Sequence, residues 1–461
     1  MSLHRSGCDV MKAPIATHVL PAHASFDSGE LVIAGISATE LAKKFGTPAF
    51  IIDEGDFNAR ARAFNTALKN AMGDRAGHCY YAAKAFISVE VAKWVNAAGL
   101  SLDVCTGGEL EVALAAGFPP SRIEFHGNNK SLQEITRAID VGVSHIVADS
   151  EIEIERINEI AGKRGVKQKI LIRITPGVEA HTHQYIATAH EDVKFGFSIA
   201  SGAAIKALSL AKSSANIEVA GVHFHIGSQI TGLEGFDLAI ARTIEFLAEV
   251  KREISEELAE LVIGGGFAIA YLDSDQTSDA KLVIEHLAGI VKEECKKAGL
   301  VVPLLSIEPG RAIVGPTTVT LYEVGTVKSV ELEQGSRNYI AVDGGMSDNI
   351  RTSLYDAQYS VALANRISTS SRRASRVVGK HCESGDIIIR DCELPADIQP
   401  GDLLVTPATG AYGRSMASNY NHLPRPPVIA VRDGRARVIV RRENYSDLLS
   451  LEVASEVASE E

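Results

Sequence analysis

The sequence predicts an α/β plus all-β protein, with a (β/α)8 TIM-like barrel and a C-terminal β-sandwich-like domain. Three observations predict this fold. Short apolar strands alternate with helical segments from about residue 49 to 310, which is the pattern of a parallel α/β fold. Eight such strands can be counted, and that number favours a closed barrel over an open sheet. After residue 311 the sequence changes to Val-, Thr- and Ile-rich runs that Gly, Pro, Asp and Asn interrupt, which is typical of strands and turns.

The barrel elements are predicted from short apolar runs and from helical periodicity. The eight predicted strands are Cys79 to Ala83, Ser101 to Val104, Arg122 to His126, His145 to Ala148, Ile170 to Ile174, Glu218 to His225, Glu260 to Ile263 and Leu304 to Ile307. Helices predicted between them include Val89 to Ala98, Gly108 to Ala116, Leu132 to Val141, Glu151 to Arg164, Phe236 to Ile254 and Lys281 to Lys297. The glycine cluster at 264–266 comes late, whereas a dinucleotide fingerprint would follow the first strand.

The change in pattern sets the expected domain boundaries. We place a barrel at 49–314, a β-rich domain at 16–48 and 315–445, and flexible tails at 1–15 and 446–461. The runs read as antiparallel strands of the second domain are Ile313 to Val330, Tyr339 to Val342, Asp386 to Arg390 and Val428 to Val440. Part of the segment 16–48 is expected to pack on this domain.

Length and charge exclude several classes of protein. The 461 residues suit two domains, and a net charge of -12 opposes nucleic-acid binding. The sequence has no uninterrupted apolar run of membrane-spanning length and no secretory signal pattern. Its six cysteines are scattered without metal-ligand or disulfide-framework spacing. A cytoplasmic protein with no nucleic-acid or membrane partner is therefore expected.

Polar residues at the predicted strand ends suggest a ligand. Glu308-Pro309-Gly310-Arg311 places an acid and a fixed cation after the last strand, which suits a ligand that is cationic on one edge and anionic on another. Pyridoxal 5′-phosphate is such a ligand. Lys84 at the end of the first strand could form its Schiff base, and Gly264–Gly266 could approach its phosphate. His225 could stack on its ring.

Seven motifs in a fixed order resemble those of one family. They are Tyr-Tyr-Ala-Ala-Lys-Ala from 80, His-Phe-His-Ile-Gly-Ser-Gln from 223, Ile-Gly-Gly-Gly-Phe from 263, Glu-Pro-Gly-Arg from 308, Val-Asp-Gly-Gly-Met-Ser-Asp from 342, His-Cys-Glu-Ser-Gly-Asp from 381 and Gly-Ala-Tyr from 410. The chain resembles the fold-type III pyridoxal phosphate decarboxylases, from before Pro48 to about Arg442. That resemblance implies a barrel plus a β-sandwich-like domain, and a homodimer with shared active sites.

The resemblance also implies a role for each matching residue. Lys84 would carry the cofactor, and Glu308 would pair with its pyridine nitrogen, so that the ring can accept the electrons that leaving CO2 releases. Lys84, His225 and Cys382 are the predicted catalytic residues. The predicted cofactor-binding set is Lys84, His225, Ser228, Gly265, Gly266, Glu308, Gly310, Arg311 and Tyr412.

The expected substrate is meso-2,6-diaminopimelate, and the expected products are L-lysine and CO2. This substrate has an amino group and a carboxylate at each end, so recognition of its far end needs an anion and a cation together. By resemblance, Cys382 protonates the carbanion from the partner subunit, and Glu383 pairs with the distal amino group. The predicted substrate-binding set is Arg311, Arg351, Tyr355, Glu383 and Tyr412.

Two other functions stay open at this point. A decarboxylase of another basic amino acid, ornithine or arginine, would have no use for Arg351. A non-catalytic homologue that acts as a binding protein would be expected to lack Lys84 or Cys382. His181, His183 and His190 suggest a metal site, but no cysteine or paired carboxylate completes a ligand set. No metal is therefore predicted, and residues 181–196 are read as a loop that borders the active site.

Overall fold

The computed structural model describes residues 14–178, 194–276, 279–333 and 335–453. Within these ranges the chain forms a closed barrel of eight parallel strands and a separate β-rich domain. No helix in this part of the chain has the length and apolar character needed to cross a membrane. The predicted fold class is confirmed.

Eight strands form the barrel, and they lie where the sequence predicts strands. They are β1 Ala76–Ala82, β2 Ser101–Val104, β3 Ile123–Phe125, β4 His145–Ala148, β5 Gln168–Thr175, β6 Ile217–His223, β7 Glu260–Val262 and β8 Leu304–Ile307. Each strand pairs in parallel with the next, and β8 pairs with β1 to close the barrel. A two-residue strand, Phe197–Ser198, pairs with β5 at the side. All eight carboxyl ends therefore meet at one face.

Helices accompany the barrel strands. They are Glu54–Met72, Val89–Ala97, Gly107–Ala115, Leu132–Val141, Glu151–Arg164, Ala203–Ser213, Glu234–Ile254 and Ala280–Ala298. Several begin at a serine or threonine whose hydroxyl accepts a backbone N–H of the first turn, as Ser131 does in a full capping box with Glu134. The prediction does not include Glu54–Met72 and Ala203–Ser213.

The strand Ala49–Asp53 corrects the predicted start of the barrel at residue 49. This fully buried strand lies in the second domain, antiparallel to Thr318–Leu332 and parallel to Val428–Arg432. An apolar run followed by a helix is equally typical of a barrel strand, so sequence alone could not decide between the two positions. The long-range pairing decides it.

The second domain is built on mixed sheets. Its strands are Ala49–Asp53, Thr318–Leu332, Gly335–Val342, Ala362–Leu363, Arg372–Val378, Ile387–Pro395, Leu403–Thr406, Val428–Arg432 and Arg435–Val440. The long strand Thr318–Leu332 pairs with Leu403–Thr406 through its first part and with Gly335–Val342 through its second. The prediction of antiparallel strands is incomplete, because Gly335–Val342 and Arg372–Val378 pair in parallel. Two short helices, Arg311–Val314 and Arg351–Tyr355, follow β8 and the strand Gly335–Val342 respectively.

The N-terminal segment packs on the second domain. It contains the strands Ala24–Asp27, Glu30–Ile33 and Ile36–Ser37 and the helix Ala38–Phe45. Leu31 and Ile33 are buried in one apolar cluster with Val319 and Ile429. The Leu31 N–H also donates to the Ala364 carbonyl at 2.8 Å. Part of the segment 16–48 therefore belongs to the β-rich domain.

Both predicted tails reach too far into ordered structure. Ile15 is 3% exposed and joins the apolar cluster of the second domain. Tyr445–Leu449 forms a helix that starts with a capping box between Asn444 and Asp447. The predicted tail from residue 446 therefore overlaps a helix whose start signal is local and could have been recognised.

Candidate active site

A cavity of about 1130 Å³ lies at the carboxyl ends of the barrel strands. Parallel barrels carry their chemistry at this face. Side chains from both domains line the cavity, and eight of the predicted site residues are among them. These are Lys84, His225, Ser228, Glu308, Arg311, Arg351, Tyr355 and Tyr412.

The three predicted glycines, Gly265, Gly266 and Gly310, lie next to residues that line the cavity, where neighbouring atoms leave no space for a side chain. A Cβ on Gly265 would lie 2.2 Å from the Glu308 carbonyl oxygen, and one on Gly266 would lie 2.3 Å from that of Gly227. A Cβ on Gly310 would lie 2.8 Å from a β1 side chain. Glycine is therefore needed here for the close approach of adjacent loops.

Lys84 follows β1 and faces a buried carboxylate that the sequence prediction did not include. Its Nζ lies 3.6 Å from Oδ2 of Asp103, which is fully buried. Burial raises the pKa of Asp103 to about 7, although Lys84 opposes the rise. Burial would lower the pKa of Lys84, but the nearby acidic groups, Asp103 first, raise it above its ordinary value. The free amine is therefore protonated at neutral pH.

Glu308 follows β8 and lies against two buried histidines. His223 Nε2 is 2.9 Å and His126 Nε2 is 3.4 Å from Glu308 Oε1. These three residues bring donor atoms within 4.8 Å of one another, a spacing that a metal ion could also use. Neither histidine was a predicted site residue. A signal was available, because His126 ends a predicted strand and alternation places His223 on the same face as His225.

His225 is a neutral ring beside the glycine-rich loop. Its Nδ1 accepts a hydrogen bond from the Gly265 N–H at 3.3 Å. Burial, with the positive charge of Lys84, lowers the pKa of His225 to about 3. The imidazole is therefore uncharged at neutral pH, and it presents a flat surface to the cavity.

Arg311 is a buried cation tied to three cavity residues. Its guanidinium donates to Ser228 Oγ at 2.7 Å and to the Tyr271 hydroxyl. It also lies 4.8 Å from the centre of the Tyr412 ring, a cation–π contact. Tyr412 comes from the second domain, and its N–H donates to the Ala85 carbonyl at 2.9 Å beside Lys84. The two domains thus meet around this guanidinium.

Arg351 is a second buried cation that contacts Tyr271. It donates to the Tyr359 hydroxyl, and its guanidinium lies 4.9 Å from the Tyr271 ring centre. Within the described ranges, no carboxylate oxygen lies within 4.0 Å of Arg311 or Arg351. A buried cation needs a compensating partner. The two arginines can therefore receive anionic groups of a ligand.

Cys382 and Glu383 lie outside the cavity. Both are exposed on the loop between Arg372–Val378 and Ile387–Pro395. Asp386, which is buried, holds this loop by accepting the His381 N–H at 2.8 Å and the Met346 N–H at 2.6 Å. The structure of one chain therefore does not bring these two predicted residues together with Lys84.

The predicted loop 181–196 has its last three residues, 194–196, among the described residues. His181, His183 and His190 lie outside the described residues. Phe195 lines the cavity, and the Arg173 guanidinium lies 4.3 Å from its ring centre. Arg173 also lines the cavity and was not a predicted site residue.

Comparisons with known proteins agree with this geometry. Residues 54–315 match the family model described as pyridoxal-dependent decarboxylase, pyridoxal binding domain. The chain is 52% identical to the diaminopimelate decarboxylase of Mycobacterium tuberculosis over 445 residues, which is 95% of this chain and 98% of that protein.

Solved structures extend the likeness to the fold. The crystal structure of diaminopimelate decarboxylase from M. jannaschii in co-complex with L-lysine has a TM-score of 0.87 at 30% identity, covering 94% of this chain and 98% of that one. The enzyme from Helicobacter pylori, complexed with L-lysine, has a TM-score of 0.79 at 31% identity, covering 90% and 98%. The chain therefore belongs to the pyridoxal-dependent decarboxylases, and within them to the diaminopimelate decarboxylases.

Proposed function

We propose that this protein decarboxylates meso-2,6-diaminopimelate to L-lysine and CO2 with pyridoxal 5′-phosphate as its cofactor. One observation carries the proposal. Two buried arginines, Arg311 and Arg351, both contact Tyr271 in the cavity that also holds Lys84 and Glu308. A ligand set with a phosphate and two substrate carboxylates requires more than one fixed cation.

The residues of the cavity fit this cofactor. Lys84 supplies an amine that can bond to the aldehyde, and Glu308 supplies a carboxylate for the ring nitrogen. The buried Nε of Arg311 has no hydrogen-bond partner among the described residues. Unsatisfied buried donors are rare in native proteins and call for a ligand. A volume of about 1130 Å³ accommodates the cofactor together with an amino acid.

The proposed roles follow from these positions. Arg311 and Ser228, with the backbone of Gly265, Gly266 and Gly310, hold the phosphate. His225 covers one face of the ring, and Tyr412 contacts the cofactor or substrate from the second domain. When bound, the cofactor supplies an electron sink for the pair that leaving CO2 releases.

The remaining residues act on the substrate. Arg351 binds the carboxylate that is retained at the far end, and Tyr355 borders it. Cys382 donates its thiol proton to the carbon that has lost CO2, and Glu383 pairs with the distal ammonium group. Lys84 must lose its proton before its amine can attack, and Asp103 at 3.6 Å is the nearest acceptor.

The exposed position of Cys382 and Glu383 supports a homodimer in which each subunit completes the cavity of its partner. The hydrogen bond from the His381 N–H to Asp386 already orders the loop within one chain. Association of two chains would therefore cost little additional conformational entropy in this loop. A cytoplasmic location, which the free cysteines favour, is part of the same proposal.

The proposal is tested by product identification. Purified protein with pyridoxal phosphate is incubated separately with meso-diaminopimelate, L-ornithine, L-arginine and L-lysine. Lysine and CO2 from diaminopimelate alone are expected. Turnover of ornithine or arginine instead would retain the cofactor chemistry and overturn the substrate. Bound cofactor without turnover of any of the four would favour a non-catalytic binding protein.

Shared sites are tested by mixing two inactive variants. Lys84→Ala and Cys382→Ala dimers, dissociated and reassociated in equal amounts, should recover about a quarter of wild-type activity, since half of the dimers are mixed and each has one intact site. If each site lay within one chain, no mixed dimer would contain an intact site. No recovery, with hybrid formation verified by native mass spectrometry, would contradict the proposal.

A further inference from the structure

Glu308 is a buried carboxylate whose charge is opposed mainly by two histidines. It is 3% exposed, and its Oε1 lies 2.9 Å from His223 Nε2 and 3.4 Å from His126 Nε2. Among the described residues, no lysine or arginine nitrogen comes within 4.0 Å of it. An ionised carboxylate removed from water costs several kcal/mol unless polar groups compensate it. The two imidazoles are the nearest groups that can do so.

The histidines approach the same oxygen from different strands of the barrel. His126 follows β3 and His223 ends β6, and their rings meet edge to face with centres 4.8 Å apart. Both are buried, at 3% and 1% exposure. Burial lowers the pKa of each, so both rings are neutral at neutral pH and each carries one polar N–H. They can oppose the negative charge without taking up a proton.

Among the carboxyl groups of this cluster, Glu308 is the one that stays ionised. Glu124 Oε1 lies 2.5 Å and Asp103 Oδ1 lies 3.7 Å from His126 Nε2. Burial raises the pKa of Glu124 well above its ordinary value and that of Asp103 to about 7. Burial would also raise the pKa of Glu308, but its histidine contacts hold it well below the ordinary value.

Two cations face the same space from further away. Lys84 lies beside Asp103, and Arg173 of β5 lines the cavity. Both contribute to the positive potential at Glu308, but neither contacts it within 4.0 Å. The direct contacts are made by the histidines, and they use Oε1. Oε2 is left for another donor.

We propose that His223 and His126 are positioning residues for Glu308. They hold its carboxylate ionised and fix Oε1 inside the barrel, so that Oε2 faces a cationic N–H in the cavity. This inference rests on the proposed function, in which that N–H belongs to the pyridine ring of the cofactor. Neither histidine touches the reacting atoms.

The test uses two ligands that do not react with Lys84. One is 4-deoxypyridoxine 5′-phosphate, which keeps the ring nitrogen and phosphate but lacks the aldehyde. The other is its counterpart with carbon in place of the ring nitrogen. Full-length protein freed of cofactor is titrated with each ligand, and the near-ultraviolet spectrum of the first ligand is followed against pH to report ring protonation.

His223→Phe should weaken binding of the nitrogen ligand about tenfold, because it removes the polar ring nitrogen 2.9 Å from Glu308 Oε1 and leaves only His126 at 3.4 Å. Binding of the carbon ligand should stay within about twofold of wild type. The bound ring should lose its proton about one pH unit lower than in wild type. His223→Asn keeps an N–H donor and should recover much of the loss, and His126→Leu should act in the same direction as His223→Phe.

The quantity compared between variants is the ratio of the affinities for the two ligands. Partial unfolding of a variant lowers both affinities by the same factor, so the ratio is unaffected. The matched control is His145→Phe. This buried histidine starts β4, at the opposite end of the barrel, with Nε2 3.5 Å from Glu260 Oε1. It should leave the ratio unchanged.

Glu308→Gln separates the two proposals. If Glu308→Gln changes the ratio and the spectrum but the histidine variants do not, the positioning role is overturned and the cofactor role of Glu308 stands. If Glu308→Gln also changes nothing, the assignment of Glu308 in the proposed function is overturned as well. A stoichiometric metal ion in the purified protein that His223→Phe removes would instead make the cluster a metal site.

Discussion

The barrel end of the cavity and the loop that carries Cys382 differ in how completely one chain builds them. At the barrel end, Lys84, Glu308 and Arg311 follow strands of a closed sheet, and each lies against a buried or hydrogen-bonded partner. On the loop, Cys382 and Glu383 are exposed, although Asp386 orders the backbone beside them. Under the proposed function, one chain binds the cofactor at the barrel end, and complete turnover needs a second chain to supply the loop.

This difference predicts two classes of variant. Changes at the barrel end should affect cofactor retention, and changes on the loop should affect product formation with the cofactor still bound. Of the four predictions below, ordered from the largest expected effect to the smallest, the first two test that separation and the last two sharpen the description of the cavity.

Lys84→Ala should abolish cofactor retention and lower kcat/KM by about 10³-fold or more, because it removes the amine that bonds to the aldehyde. Retention is measured from the visible absorbance of protein after gel filtration. Lys93→Ala changes an exposed helix lysine and is the control. A Lys84→Ala protein that retains the wild-type visible spectrum would contradict the role.

Cys382→Ala should retain the cofactor spectrum and lower kcat about 10²-fold or more, as loss of a general acid does. The proton delivered to the product carbon is followed in deuterium oxide by mass spectrometry and by the chirality of the lysine formed. Cys392→Ala, in a strand of the second domain, should leave both readouts unchanged. Unchanged turnover in Cys382→Ala would place the proton donor elsewhere.

Arg351→Met should raise KM for diaminopimelate about 10- to 100-fold, which corresponds to losing one charge-assisted contact of about 1.5–3 kcal/mol. Cofactor affinity should change little, because Arg311 remains with Ser228. Arg435→Met changes an exposed hairpin arginine and is the control. An unchanged KM would remove Arg351 from the substrate site.

Asp103→Asn should change the pH dependence of stability in the cofactor-free protein. Folding raises the pKa of Asp103 from 3.8 to about 7, so the native state holds a proton that the unfolded chain has released. Wild-type stability therefore falls as pH rises through this window, and the loss is complete above pH 7. Asp103→Asn lacks this contribution.

The measurement for Asp103 is urea unfolding of both proteins at several pH values between 4 and 8. As pH rises, the free energy of unfolding of the variant should increase relative to that of wild type. The increase is smaller than the titration of Asp103 alone would give, because the variant also loses the carboxylate partner of Lys84. A constant difference would show that Asp103 titrates normally. Lys93→Ala again serves as the control.

Much of the fold followed from local sequence signals. A strand buried on both sides is a short apolar run, and a helix start carries a capping side chain such as Ser131, so both can be recognised within a few residues. Lys84, His225 and Glu308 stand at strand ends, and closure of a parallel barrel brings such ends to one face. The sequence by itself therefore determined the barrel and placed Lys84, His225 and Glu308 at the face that carries the cavity.

The tertiary structure decided what depends on pairing between distant segments. It placed Ala49–Asp53 in the second domain through pairing with Thr318–Leu332, and it brought two arginines into contact with Tyr271. It also gathered His126 and His223 around one oxygen of Glu308. Contacts of this kind join residues that are far apart in sequence, so no local pattern specifies them, and they form when the barrel closes and the second domain packs on it.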